Sequence, residues 1–554
     1  QAQDAAPCGR ASWNTAMGQT NGCCHKEVAP SAEAVWADTT TNIFPRSDGF
    51  DLDTAMTETV TPSKPRLERM PTRLDLEAEL LRGIPLKKTL QNPRDLWWQS
   101  PVDMTGCKRA ALWKRSRPVT GIDIFLSHTW LTSGLSKFLS LLLQSCWPIA
   151  LLTWLLATLL LVFLSQSLPL PGRYLHGVPA VGYPVGPWIT MISLPASVFG
   201  FLLAIYWPEG KSCWSSSPMC FLDAVSINQA DEHMMQRGVY GLGGFLKASK
   251  ELRILWSPLY FERLWCIFEL AAYRTANPDG KITLTPLFME TAVSIYFVAG
   301  YVNVLVVWVI LSVEGLESYQ VLSFSLQSFL AFVMVYFLRR SIMVKRRLVS
   351  DLENFDLDLA KCRLEYDREF VCNAIVEWFG SKKAFTDYVR VHLRKAVLSK
   401  LSQTVIPLEY LLLLATPDMA LNLDNFVALW IGGARPEVLV SHFLAMLLGG
   451  ALCWKTMNLT LTVYLCDIIK PRSGLRNCGV TFLIFAVYNI LVVMGILISR
   501  AAYYRGPAGA ILWFFVALTL LIVSQGGLKF FRSRSTRKME TETKAVSEED
   551  VIQI

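Results

Sequence analysis

Glu269 and Trp265 are the residues from which chemistry in this chain is most readily built. They stand four apart in Arg263–Leu270 (RLWCIFEL), a stretch of helical spacing, so the two side chains share a helix face about one turn apart. An indole beside a carboxylate can stack an aromatic ring and hold a base next to it. Upstream, Leu222–Asp231 (LDAVSINQAD) supplies Asp223 and Asn228, and Ile122–His128 (IDIFLSH) ends in Ser127 and His128. Arg263 adds a cation at the start of the helix. The ordinary alternatives are a solvated carboxylate for Glu269, a loop-capping role for Asp223 and a structural pair for Ser127 and His128.

The elements that must position these groups alternate. Ile122–Ser127, Cys220–Asp223, Leu252–Trp256 and Lys281–Phe288 are short apolar runs, and they are expected to be parallel neighbouring strands. Helical pattern lies between them, in Gly238–Lys250 and in Tyr260–Tyr273, where Leu264, Ile267, Phe268 and Ala271 form an apolar stripe. In such a sheet, ligands sit at the carboxyl ends of the strands. Ser127–His128, the Asp223–Asn228 loop and the Trp265–Glu269 face are therefore expected to meet at one edge.

These segments carry a family resemblance. The loop LDAVSINQAD is similar to the D-x-x-C-I-N-Q-x-D loop of fungal heterokaryon-incompatibility (HET) domains, whose later helix reads R-x-W-T-x-Q-E. The stretch RLWCIFEL equally resembles plant TIR domains, which carry W-C-x-x-E-L, and IDIFLS is similar to the first TIR strand. Lys281–Phe288 (KITLTPLF) fits the next strand. The resemblance implies a flavodoxin-like α/β domain. Because some TIR domains cleave NAD at the nicotinamide–ribose bond, it also implies Glu269 as catalytic residue and Trp265 as stacking residue, with Ser127, His128, Asp223, Asn228 and Arg263 around the substrate. Two departures stand out: the usual arginine–aspartate and proline–glycine loop signals are missing, and a long apolar insertion follows the first strand.

Of the 554 residues, 52% are apolar and 18% charged, which points toward a membrane protein. Spans are expected at Cys146–Gln166, Pro187–Trp207, Thr291–Val313, Gln320–Leu338, Cys478–Ser499 and Ala508–Ser524. Leu131–Gln144 is a separate helix near the membrane, Leu408–Ala420 is re-entrant or interfacial, and Val438–Ile469 is split near Lys455, since a mid-span lysine costs about 2.5–3.5 kcal/mol. Basic residues at Arg339, Arg340, Lys345–Arg347 and Lys529–Lys538 assign the α/β domain and the tail to the cytosolic side.

The expected organisation is a mostly disordered polar region (1–118) and a TIR/HET-like domain (119–290) with a membrane hairpin inserted at about 146–207. A transmembrane hairpin (291–338), a cytosolic helical segment (339–403), a membrane bundle (404–527) and a cytosolic tail (528–554) follow. Within the first region, Leu74–Leu90 has the pattern of one amphipathic helix, and Asp95–Trp98 could dock on the domain.

No phosphate loop, Ser–His–Asp arrangement or nucleic-acid motif is evident, and the net charge of +8 is explained by bases flanking spans. The thirteen cysteines are scattered, and Cys23-Cys24-His25 has poor zinc spacing, so no metal is expected. The function expected is membrane-anchored signalling, with NAD or a related nucleotide bound as substrate rather than cofactor, and self-association through the domain. Its alternatives are a non-catalytic interaction module, and a transporter or channel bearing an accessory domain.

Overall fold

The computed structural model describes residue 74 and residues 76–167, 174–178, 181–207, 217–312, 320–362, 365–395, 406–469 and 475–526. Its six-stranded sheet has the order β2-β1-β6-β3-β7-β8. The strands are β1 (Arg82–Pro85), β2 (Arg117–Pro118), β3 (Ile122–Ser127), β6 (Met219–Phe221), β7 (Ser249–Trp256) and β8 (Lys281–Pro286). A separate hairpin pairs β4 (Tyr174–Val178) with β5 (Val181–Val185). Strands β6, β3, β7 and β8 are parallel neighbours, whereas β1 runs antiparallel to β6 and β2. Sheet and helices thus form an α/β unit continuous with long apolar helices.

Alternation along the strands builds two apolar layers. Phe125, Phe221, Leu252, Ile254 and Trp256 pack toward the helices Leu242–Lys247 and Leu264–Ala276. Ile124, Leu126, Leu222 and Leu255 pack toward the N-terminal segment and the helix Gly134–Ser167. The Phe125 and Phe221 rings stack at 4.3 Å across adjacent strands.

Several boundaries differ from expectation. Strand β6 stops at Phe221, and Asp223 opens a one-turn helix to Ser226. The polar loop continues into a helix at Glu232–Tyr240, whose N-cap Asp231 accepts the Met234 N–H at 2.9 Å. Gly238–Lys250 is not one helix, because a break at Gly241 separates Glu232–Tyr240 from Leu242–Lys247. Strand β8 ends at Pro286, and the helix Leu287–Ser312 begins at the next residue.

The described part of the N-terminal region is ordered, which corrects the expectation for residues 76–118; residues 1–73 lie outside the described residues. The expected helix at Leu74–Leu90 is replaced by β1 and a short helix, Leu86–Gln91. Gly83 and Pro85 disfavour helix, and a Cβ on Gly83 would come within 3.1 Å of the Cys220 carbonyl oxygen. Trp97 is buried and donates its indole N–H to the Thr89 carbonyl at 3.0 Å, so Asp95–Trp98 does dock on the domain.

Among the described residues, six helices are long and apolar enough to cross a membrane: Gly134–Ser167, Trp188–Tyr206, Leu287–Ile310, Pro436–Ile468, Arg476–Tyr504 and Pro507–Gly526. Leu131–Gln144 is not separate from the first span, because one helix runs from Gly134 to Ser167. The helix beginning at Gln320 continues past Leu338 to Glu353. Leu408–Ala420 is the first half of a 24-residue helix reaching Ile431. Two of its three acidic residues are compensated from other helices. Asp424 accepts the first-turn N–H groups of Ile189 (2.7 Å) and Thr190 (3.1 Å), donors that a helix cannot satisfy itself. Asp418 pairs with Lys455. That pairing explains why the helical path from Pro436 to Ile468 runs through Lys455 without the expected break.

Candidate functional site at the carboxyl edge of the sheet

Strand β3 delivers Ser127 and His128 to the sheet's carboxyl edge, next to the end of β7. There the Ser127 hydroxyl meets two partners. It lies 2.5 Å from the Tyr260 hydroxyl and hydrogen-bonds the Glu269 carboxylate. Ser127 and Tyr260 are fully buried, and Glu269 is half-buried. Burial pushes the Glu269 carboxyl up to about 8; the Ser127 hydrogen bond opposes this, and the charge of Asp223 adds to it. That shift favours the protonated carboxyl at neutral pH.

Asp223 is held beside this pair. Its carboxylate accepts the Trp130 indole N–H at 2.8 Å and the Ala224 N–H at 2.7 Å. His128 Nε2 lies 4.0 Å from Asp223 Oδ1, too far for a hydrogen bond. Burial, and then the charge of Lys137, push the His128 imidazole down to about 4, so the ring is neutral. It is wedged between Trp97 and Trp130, with ring centroids 5.6 and 4.8 Å away.

Lys137 completes the cluster from the first turn of the long helix Gly134–Ser167. It is fully buried, its ammonium lies 5.0 Å from the Trp130 ring centroid, and its Nζ makes no hydrogen bond among the described residues. A buried ammonium with unused donors can receive an acidic or carbonyl group of a ligand. Cys266 sits beneath, its thiol 3.6 Å from the His128 carbonyl. Burial raises that thiol well above its ordinary range and leaves it unreactive.

The structure therefore brings Ser127, His128, Asp223 and Glu269 together. Trp265 and Asn228 are engaged elsewhere, and Arg263 acts on the cluster only through its charge near Cys266. Trp265 turns to the helix Glu365–Phe379, donating to Asp367 at 3.3 Å and lying 6.2 Å from the Phe370 ring. Arg263 forms a backbone bridge with Lys361. Asn228 is engaged by its own loop, accepting the Ala230 N–H at 3.1 Å and reaching Met234 Sδ at 3.6 Å. Trp265→Ala should accordingly act on stability, lowering it by about 1–3 kcal/mol in chemical denaturation. A ligand affinity weakened with no loss of stability would contradict this placement.

Sequence reasoning missed Tyr260, Trp130 and Lys137. Lys137 had a signal, being the only charged residue in Gly134–Ser167, and an ionisable group in an apolar run marks a site to inspect. Among the described residues no cluster of His, Cys, Asp or Glu could hold a metal ion. Comparison with known proteins assigns no family: no family model matches the chain, and no curated protein or solved structure does.

Proposed function

We propose that this chain is a multi-pass membrane protein whose TIR/HET-like, flavodoxin-like domain lies on the cytosolic side, binds NAD or a related nucleotide, and hydrolyses its nicotinamide–ribose bond. The observation that carries this reading is the Glu269–Ser127 hydrogen bond at the carboxyl edge of the parallel strands, where ligands of doubly wound sheets bind. Water would form the new bond to ribose C1′ as the N-glycosidic bond breaks. Nicotinamide leaves with the bonding pair, and the water's proton passes to the Glu269 carboxylate. The cationic nicotinamide of bound NAD favours that carboxylate. Lys137 then faces an acidic group of the ligand, in place of the Trp265 stacking that the resemblance implies.

The helices give this site its setting. Gly134–Ser167 starts seven residues after β3, and Leu287–Ser312 starts directly after β8, so both leave from the same edge. With Gln320–Glu353 and Leu408–Ile431 counted beside the six apolar helices, the bilayer is crossed eight times. Domain and tail then share one side, consistent with bases at Arg339, Arg340 and Arg346. Assembly of copies in the membrane would bring such domains together and trigger them.

A second reading, a non-catalytic interaction module, is favoured by the full burial of Ser127 and Tyr260 beside Glu269. Purified full-length protein decides between them. Nicotinamide release from NAD by wild type, lost in Glu269→Gln, supports the enzyme; no release by wild type, alone or clustered on vesicles, favours the module.

A further inference from the structure

An apolar opening among the long helices reaches the last strand of the sheet, with Pro286 in its lining. It is a narrow crevice bounded by the helices Leu287–Ser312, Gln320–Glu353, Leu408–Ile431 and Lys455–Ile468. Ala292, Tyr296, Met334, Leu338 and Val463 line its length, and Pro286, the last residue of β8, lines one end. From Pro286 to Tyr296 the helical rise is roughly 15 Å. Asp467 is the one charged residue in the lining. A cavity this apolar offers water few partners.

One cation stands beside the polar end. Arg346 donates to the Asp467 carbonyl oxygen at 2.5 Å, which puts a half-buried guanidinium at the mouth. Arg339, buried and next after Leu338 in the same helix, donates to the Ile469 carbonyl at 3.2 Å and to Asn477 at 2.7 Å, and its Nε is left without a hydrogen-bond partner. A long apolar slot with the Arg346 guanidinium beside one end matches a molecule with an apolar tail and an acidic head.

We propose that this crevice is a lipid site: it seats one acyl chain of an anionic phospholipid, whose headgroup phosphate pairs with Arg346. Charge complementarity selects this occupant over a neutral lipid, since a guanidinium pairs a phosphate through parallel hydrogen bonds. The mouth abuts Pro286, so a bound lipid touches the strand that closes the α/β sheet. The inference rests on the membrane reading of the helices and is independent of the nucleotide reading.

The test is native mass spectrometry of the full chain after reconstitution in bilayers of phosphatidylcholine with or without phosphatidylserine. Wild type should retain phosphatidylserine over phosphatidylcholine by about tenfold. Ala292→Trp fills the slot and should abolish retention with helical content unchanged; Met334→Trp serves if the first variant does not fold. Arg346→Gln should keep a lipid bound but lose the preference. Equal retention of both lipids by wild type, an unchanged preference in Arg346→Gln, or a second copy of the chain in the crevice would overturn the proposal. A chain that stays in solution without detergent or lipid would overturn the membrane reading itself.

Discussion

Glu269→Gln should abolish nicotinamide release and at the same time stabilise the protein at alkaline pH. Loss of a placed general base costs about 10²–10⁴-fold in rate, and the amide preserves the size and the hydrogen bond to Ser127. The stability effect follows from burial, which raises the Glu269 carboxyl from its ordinary value of 4.5 to about 8 in the folded protein. Below pH 4.5 both folded and unfolded chains hold the proton, and the residue is neutral to stability. Between 4.5 and 8 the unfolded chain releases it while the folded chain does not, so stability falls as pH rises. Above pH 8 the full cost is present, on the order of a few kcal/mol. Glutamine has no proton to lose. The melting temperature of Glu269→Gln should therefore match wild type near pH 4.5 and exceed it increasingly toward pH 8. A constant gap across that range would mean that the carboxyl is not held in a dry site. Under the proposed hydrolysis the same titration would govern turnover: wild-type kcat/KM for NAD should rise with pH through about 8 and level off above it, as the carboxylate forms.

How far this arrangement is legible in the sequence differs from residue to residue. Ile122–Ser127 and Lys281–Phe288 read as strands; the first forms β3 with the same bounds, and the second forms β8 but stops at Pro286. Once the strands are parallel, Ser127 and the helix bearing Glu269 share an edge by geometry alone. Trp265 is different. Its spacing from Glu269 fixes a shared helix face, but a face is broad, and what covers it is decided by Asp367 and Phe370, about a hundred residues later. No local pattern encodes that contact. Lys137 is obscured for the opposite reason, since its neighbours are so apolar that they read as membrane. Strand β1 is four residues long and contains Gly83 and Pro85. Its pairing comes from the exposed edge of β6 rather than from its own propensity.

Lys455 is where composition misleads most, and it sets the largest stability effect expected outside the site. A lysine at the middle of an apolar run argues for a break, yet the helix continues because Asp418 of the helix Leu408–Ile431 meets the ammonium. Both side chains are mostly buried, at 17% and 27% exposure. Removing one partner leaves the other uncompensated, so Asp418→Ala and Lys455→Ala should each cost about 3–5 kcal/mol. Replacing both by apolar residues of similar size, Asp418→Leu with Lys455→Met, should restore most of that loss, because neither charge then has to be desolvated. Thermal denaturation in one detergent compares all three. A double variant as unstable as the sum of the single ones would mean that the two charges do not pair. The double variant also bears on transport, because intramembrane charges that serve a pathway cannot be replaced by apolar groups without loss of function. If it folds and still releases nicotinamide from NAD at the wild-type rate, the pair holds two helices together and the chemistry belongs to the sheet edge.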